Sequence, residues 1–309
     1  MPLPQEYPSK PCKVAVLLWP YTTLPMRIPE GLKPLLDDGI IDDVRRQLKS
    51  GKEASVYVVS SGGEIRCAKV YKDMGQRSFQ QRAQYQEGRK VRGSRQARAM
   101  AKSTRYGRKE QEEAWKNTEV DALYQLVAAG VRVPKPFGFF NGVLLMELVA
   151  DGEGNSAPRL GEVELTPELA RDYHRFLVVQ VVRMLCVGLI HGDLSEFNVL
   201  LGAEGPVIID LPQAVSAAGN NNAFAMLTRD VRNLTETLGR FAPDLLATDY
   251  AGEMWALYEK GELTPDSPLT GVFVKDETIP DVGEVMHAID EAREEAIRRE
   301  LGRQEAEPS

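Results

Sequence analysis

The chain has 309 residues, 43% of them hydrophobic, so it can bury a substantial core; its three cysteines, Cys12, Cys67 and Cys186, are too few and too scattered for a disulfide framework or a zinc site and suit a reducing compartment. A formal net charge of −7 conceals an asymmetry, because residues 72 to 116 hold 13 Lys and Arg against 5 Asp and Glu, an excess of +8 on an acidic body. The longest apolar stretch, Phe176 to Ile190, is interrupted by Gln180 and Arg183 and falls short of the ~20 residues of a membrane span, and Val14 to Trp19 ends at Pro20, too short for a secretion signal. A cytoplasmic protein is expected.

Residues 1–27 open with six prolines in the first 25 positions and no sustained period, which predicts a loosely ordered segment. From Ile28 to Leu48, apolar residues at Leu32, Leu35, Leu36, Ile40, Ile41, Val44 and Leu48 follow a roughly helical spacing broken by Gly39, which predicts short helices. Val56 to Val59 and Ile65 to Val70 are rich in strand-forming residues and joined through Ser60-Ser61-Gly62-Gly63-Glu64, a hairpin that puts Lys69 on its second strand. Residues 72–112 are polar, basic and glycine-interrupted, and read as a flexible insertion. Val120, Leu123, Tyr124 and Val127 mark one face of a helix that stops at Gly130, and Asn141-Gly142 signals a second hairpin. This β-rich lobe, with its preceding helices, spans 28–149.

Residues 150–278 make the second lobe. A polar linker precedes a helix begun by Pro167, whose repeat of Tyr173, Phe176, Leu177, Val181, Met184 and Leu185 faces a core. Val199-Leu200-Leu201 and Val207-Ile208-Ile209 form a hairpin around Gly202 to Pro206, and residues 223–238 and 244–260 read as helices. Residues 279–309 are expected as a charged C-terminal helix and tail.

The densest chemistry lies in Leu189-Ile190-His191-Gly192-Asp193-Leu194-Ser195-Glu196-Phe197-Asn198, followed by Ile208-Ile209-Asp210. Phosphoryl transfer needs a carboxylate to orient the accepting hydroxyl, an amide oxygen five residues on for one metal ion and a second carboxylate at a strand end. Asp193, Asn198 and Asp210 supply that set in that order. Their oxygen donors suit Mg²⁺, a hard cation. Lys69 stands where a cation on a strand would hold ATP phosphates, and Glu119 is the preferred ion-pair partner over Glu113 and Asp121. Ser50-Gly51-Lys52-Glu53-Ala54-Ser55 precedes the first strand, where backbone amides would face phosphate oxygens with Ser50, Lys52 and Ser55 assisting. It is not a Walker loop, because no glycine lies five residues before Gly51 and Glu53 takes the place of the metal-binding Ser or Thr.

Together the SGKEASVYVV, IHGDLSEFNVLL and IIDLPQ segments resemble the RIO family of atypical serine protein kinases over residues 28 to about 260. The resemblance implies an α+β, two-lobed protein-kinase-like fold with a small β-rich N-lobe and a reduced helical C-lobe. It implies Lys69 as the phosphate-binding lysine, Asp193 as the catalytic carboxylate, Asn198 and Asp210 as Mg²⁺ ligands, and Ser50, Gly51, Lys52 and Glu53 as the phosphate loop. Met146, Glu147 and Val149 fall where the family binds adenine through backbone groups. Gly192 stands where ordinary protein kinases carry the arginine that reads activation-loop phosphorylation, and no Ala-Pro-Glu follows Asp210, so that control and the peptide-docking part of an ordinary kinase are expected to be missing.

The expected activity is transfer of the ATP γ-phosphate to serine of a protein substrate or of the chain itself. Two alternatives share these residues: an ATP-gated assembly factor that contacts RNA or the ribosome through the basic segment 72–116, and a small-molecule phosphotransferase of the aminoglycoside or choline kinase type.

Overall fold

The computed structural model describes residues 28–51, 54–72 and 119–273. The N-terminal segment 1–27, Lys52, Glu53, the basic insertion and the expected C-terminal helix lie outside the described residues. The described residues up to Val272 belong to one compact unit.

Five antiparallel strands, β1 (Asp43–Ser50), β2 (Ala54–Ser61), β3 (Glu64–Tyr71), β4 (Pro136–Phe140) and β5 (Val143–Glu147), make a sheet ordered β1-β2-β3-β5-β4. Both hairpin turns take the positive φ pair that matches strand twist: Gly62 at 60° with Gly63 at 80°, and Asn141 at 49° with Gly142 at 82°. One face of the sheet buries Tyr57, Val59, Ala68, Val143 and Leu145 against Leu32 and Leu35 of a short 3-10 turn and helix α1 (Lys33–Asp37). The other face looks to helix α2, described over residues 119–128, and to the second lobe.

The chain after Gly39 departs from the expected helix. It becomes strand β1, whose pairing with β2 slips twice, between Val44 and Arg46 and between Gln47 and Lys49. Each bulge inserts one residue and breaks the alternation, so the period of two that marks a strand is erased. In α2 the buried apolar residues are Val120, Ala122, Leu123 and Leu126, whereas Tyr124, expected inside, is exposed.

The second lobe is built on α3 (Pro167–Cys186) and α4 (Ala223–Gly239). Thr166 caps α3 by accepting from the Leu169 amide at 3.3 Å, with Pro167 in the first turn where its missing N–H costs nothing. Leu177, Val181 and Leu185 of α3 and Leu227, Leu234 and Leu238 of α4 are buried in one core. Short strands β6 (Leu189–Ile190) and β9 (Val215–Ser216) pair, as do β7 (Val199–Gly202) and β8 (Gly205–Ile208). Of the expected helix over 244–260, the first part is a 3-10 turn, Pro243–Ala247, and only Tyr250–Glu259 is α-helix (α5). Among the described residues no helix is long and apolar enough to cross a membrane.

Deep in this lobe His174 is 1% exposed, its Nε2 lies 2.8 Å from Thr235 Oγ1, and burial drops its pKa from 6.5 to about 4. The native imidazole therefore stays neutral where the unfolded chain takes up a proton. Stability from this group is intact above pH 6.5 and falls as the pH drops towards 4, by about 3 kcal/mol. The difference in unfolding free energy between the wild type and His174→Gln, measured by urea denaturation, is expected to shrink by that amount between pH 7 and pH 4.

Candidate active site

Lys69 sits in mid-β3, buried, opposite Val56 of β2 and Leu144 of β5. Its Nζ donates to Glu119 Oε1 at 2.5 Å and to Asp210 Oδ1 at 3.0 Å. The second oxygen of Glu119 accepts from the Tyr71 hydroxyl at 2.7 Å. Burial by itself would lower the Lys69 pKa, but Glu119 and then Asp210 outweigh it and hold the ammonium well above its ordinary range. Burial, followed by the Glu119 charge, pushes Tyr71 up, so its hydroxyl remains a donor. Glu119 is thus the partner of Lys69; Asp121 points to solvent and Glu113 lies outside the described residues. Leu123, Leu144, Met146 and Leu211 line, together with Lys69, Glu119 and Asp210, a cavity of about 30 Å³.

The loop after β6 is held by α4. Asp230, 1% exposed, accepts the Gly192 amide at 2.7 Å and the Leu194 amide at 2.9 Å. Asn233 Nδ2 donates to the Leu194 carbonyl at 2.9 Å, and Arg229 donates to the Gly192 carbonyl. Gly192 has φ +78°, and a Cβ there would stand 2.6 Å from Met226 Cε and 2.8 Å from the Gln213 carbonyl oxygen. No arginine fits at that position, which is a steric reason for the glycine read from the sequence.

Asp193 and Asn198 are fixed by the same loop. Asn198 Nδ2 donates to the Asp193 carbonyl at 2.8 Å, which leaves its Oδ1 as the donor for a cation. The Asn198 carbonyl accepts from the Ile209 amide at 2.9 Å, tying the loop to the strand end that bears Asp210. His191 Nε2 lies 3.0 Å from the Ile209 carbonyl, and its Nδ1 accepts from the Asp193 amide at 3.3 Å, which assigns the Nε2–H tautomer. Asp210 itself has φ +69°, an uncommon value for a non-glycine residue and one that clusters at functional sites.

The two carboxylates are driven apart. Burial raises Asp193, and the Asp210 charge adds to it against the pull of Arg229. For Asp210 burial also raises, but Lys69 prevails and lowers it, with Lys49 contributing. Asp210 is therefore the firmer anion, suited to a metal, and Asp193 the more basic carboxylate, suited to a hydroxyl proton. A single carboxylate and an amide oxygen do not cage Mg²⁺, and they fit a cation that takes its remaining ligands from phosphate oxygens and water.

The phosphate-loop residues are placed differently from expectation. Ser50 pairs with Ser55, which pairs with Val70, and this row lies on the α1 side of the sheet, one position out of phase with Lys69. The two hydroxyls are 3.2 Å apart, and Lys72 Nζ bonds to Ser50 Oγ at 3.0 Å and to the Gly51 carbonyl at 2.7 Å. The Gly51 amide donates to the Ala54 carbonyl at 2.9 Å. Ser50 and Ser55 therefore shape the turn and do not share the cleft face with Lys69, while Lys52 and Glu53 lie outside the described residues.

At the inter-lobe connection Met146 lines the cavity behind Lys69. The Glu147 carboxylate is taken by Arg132 in a two-pronged pair at 2.9 and 2.7 Å, its amide donates to the Lys135 carbonyl at 2.8 Å, and the Val149 carbonyl accepts from Ala157 at 3.0 Å. The Glu147 amide is therefore engaged, while the Val149 carbonyl keeps the second of its two acceptor sites.

With this geometry in place, comparison with known proteins is decisive. The RIO domain family matches residues 55–251. This chain belongs to the RIO family. The RIO-type serine/threonine-protein kinase Rio1 of Haloferax volcanii is 33% identical over 216 residues, covering 68% of each chain. The serine/threonine-protein kinase rio1 of Schizosaccharomyces pombe is 29% identical over 66% of this chain, and human serine/threonine-protein kinase RIO1 is 30% identical over 65%. The matched stretch spans 40% of the fission-yeast relative and 34% of the human one. The fold is accordingly the RIO kinase-like α+β fold expected from the motifs.

Sequence reasoning missed the α4 clamp. Its signal was present, since Asp230 stands three residues after Leu227 and four before Leu234, a carboxylate inside an apolar stripe. Asp230→Ala orphans two buried amides and is expected to destabilise the protein by roughly 2 to 5 kcal/mol. Asp230→Asn, which keeps an acceptor, is expected to cost less; equal thermal midpoints for wild type and Asp230→Ala would refute the clamp.

Proposed function

We propose that this RIO-family chain is an ATP-dependent serine/threonine protein kinase that transfers the γ-phosphate to a serine hydroxyl, its own serines included. The observation that carries the reading is the Lys69 ammonium 3.0 Å from Asp210, two groups 141 residues apart in sequence, with the Asn198 carbonyl accepting from the amide of Ile209 next to Asp210. Asn198 Oδ1 and the Asp210 carboxylate would hold Mg²⁺, which supplies charge neutralisation on the phosphate oxygens when bound. Lys69 uses two of its three donors on Glu119 and Asp210 and has one left for phosphate. Asp193 orients the acceptor hydroxyl and takes up its proton as the bond to phosphorus forms. Leu144, Met146 and Leu211 give the cavity beside Lys69 an apolar wall.

The test is incubation with ³²P-labelled ATP and Mg²⁺, followed by mapping of the labelled residue. Asp193→Ala is expected to abolish labelling with an unchanged circular dichroism spectrum. Lys69→Ala is the less clean probe, because it strips the buried Glu119 of its counter-ion and is expected to destabilise by about 3 to 5 kcal/mol. Full labelling by Asp193→Ala would end the assignment. Because Asp193 must be ionised to accept a proton and its pKa is raised, kcat is expected to fall on acidification at a pH above the ordinary aspartate range. An acid limb at or below that range would remove Asp193 from the role.

The excess of +8 over residues 72–116 supports a further reading, contact with RNA phosphates, and a cytoplasmic location suits it. Replacing Arg89, Lys90, Arg92, Arg95 and Arg98 by glutamine is expected to weaken RNA binding and flatten its salt dependence; unchanged affinity and slope would discard it.

A further inference from the structure

We infer that Lys49 is a second nucleotide-binding cation of the cleft, contacting the phosphate chain beside Lys69. The inference rests on the ATP reading above and adds a residue that none of the three motifs contains.

Residues directly opposed in an antiparallel sheet project to the same face. Across three strands the register runs Lys49, Val56, Lys69, and on to Leu144 of β5. A parallel row runs Arg46, Val58, Cys67, Met146. Two observations identify the face of these rows as the one towards the second lobe. Lys69, Leu144 and Met146 line the cavity behind Asp210, and Arg46 reaches across to donate to Ser156 Oγ at 2.7 Å. The intervening rows, through Tyr57 and through Ser55, belong to the face packed on α1.

The bulge between Gln47 and Lys49 decides which side chain arrives. Were Leu48 paired in regular alternation and not bulged out, it would take the cleft face after Arg46 and Lys49 would point to the other. With it, an ammonium on a four-carbon stem stands two strands from Lys69, about 10 Å between the chains. Lys49 is exposed, and its charge already helps to lower the Asp210 pKa across the cleft.

Charge balance gives this cation a purpose. Lys69 faces Glu119 and Asp210, so one positive charge is met by two negative ones before any phosphate enters. A polyanion entering that point needs further positive charge, and Lys49 lies along the same row. The competing account is an edge-strand lysine that only discourages strand pairing with other chains. That account predicts no effect on nucleotide affinity.

Calorimetric titration of the full chain with MgATP, MgADP and adenosine separates the two. Lys49→Met is expected to weaken MgATP about tenfold, the scale of one charge-assisted hydrogen bond, and MgADP less, while adenosine affinity stays at the wild-type value. Lys49→Arg is expected to restore most of the loss. Unchanged MgATP affinity in Lys49→Met, with wild type binding normally, would overturn this inference and leave the kinase reading standing. Equal weakening of adenosine and MgATP would also overturn it, by assigning the effect to the strand and not to the charge. Wild type that binds none of the three would overturn both.

Discussion

A buried ammonium shared by two carboxylates organises this molecule. Lys69 belongs to the sheet, Glu119 to the helix that crosses it and Asp210 to the strand end of the other lobe, so three separately folded parts must agree before the ion is satisfied. Removing Lys69 leaves the buried Glu119 without its counter-ion, and that penalty greatly exceeds the worth of an exposed pair. The Tyr71 hydroxyl completes the coordination of Glu119 and stacks edge-on against Phe139 at 6.2 Å, which carries the constraint on to β4. The cluster is net negative by one, and electrostatics alone therefore favours closure around a cationic partner such as a metal ion.

The second constraint is rigidity of the loop that carries Asp193 and Asn198. Its backbone amides and carbonyls are spent on the buried Asp230 and on Arg229 and Asn233 of the same helix, and on His191 and Ile209. The loop thus cannot relax towards solvent when substrate is absent. Pre-organisation of this kind lowers a barrier because the polar groups need no reorientation as charge develops. Gly192 at φ +78° is the geometric condition for it, since any side chain would collide with Met226 and the Gln213 carbonyl.

Much of this was legible from the chain because the relevant signals are local. Both hairpins are announced by their turn residues, α3 by its Thr-Pro start and apolar repeat, and the catalytic set by spacing within twenty residues. What stayed hidden depends on partners distant in sequence. Strand β1 was read as helix because its two bulges shift the side-chain alternation, and a bulge is defined by β2, not by β1 alone. Ser50 and Ser55 were read as phosphate ligands because hydroxyls beside a glycine look suitable. Which face they occupy follows only from the register that pairs Ser55 with Val70. Asp230 is the intermediate case, a charge in an apolar stripe whose partners lie 36 and 38 residues away.

Arg132 ties these pieces into one device. Its side chain forks onto Glu147 at the inter-lobe connection, holding that carboxylate below its ordinary range despite partial burial, while its carbonyl accepts from Ile208 at 3.0 Å and its amide donates to the buried Gln180 of α3 at 2.8 Å. The connection, the strand that ends at Asp210 and the central helix of the second lobe therefore share one residue. Any rocking of the sheet lobe about Glu147 must either carry Arg132 along and strain β8 next to the metal aspartate, or break a two-pronged charge pair. These contacts make a continuous hydrogen-bonded link from the connection, through Arg132 and Ile208, to the strand end that bears Asp210.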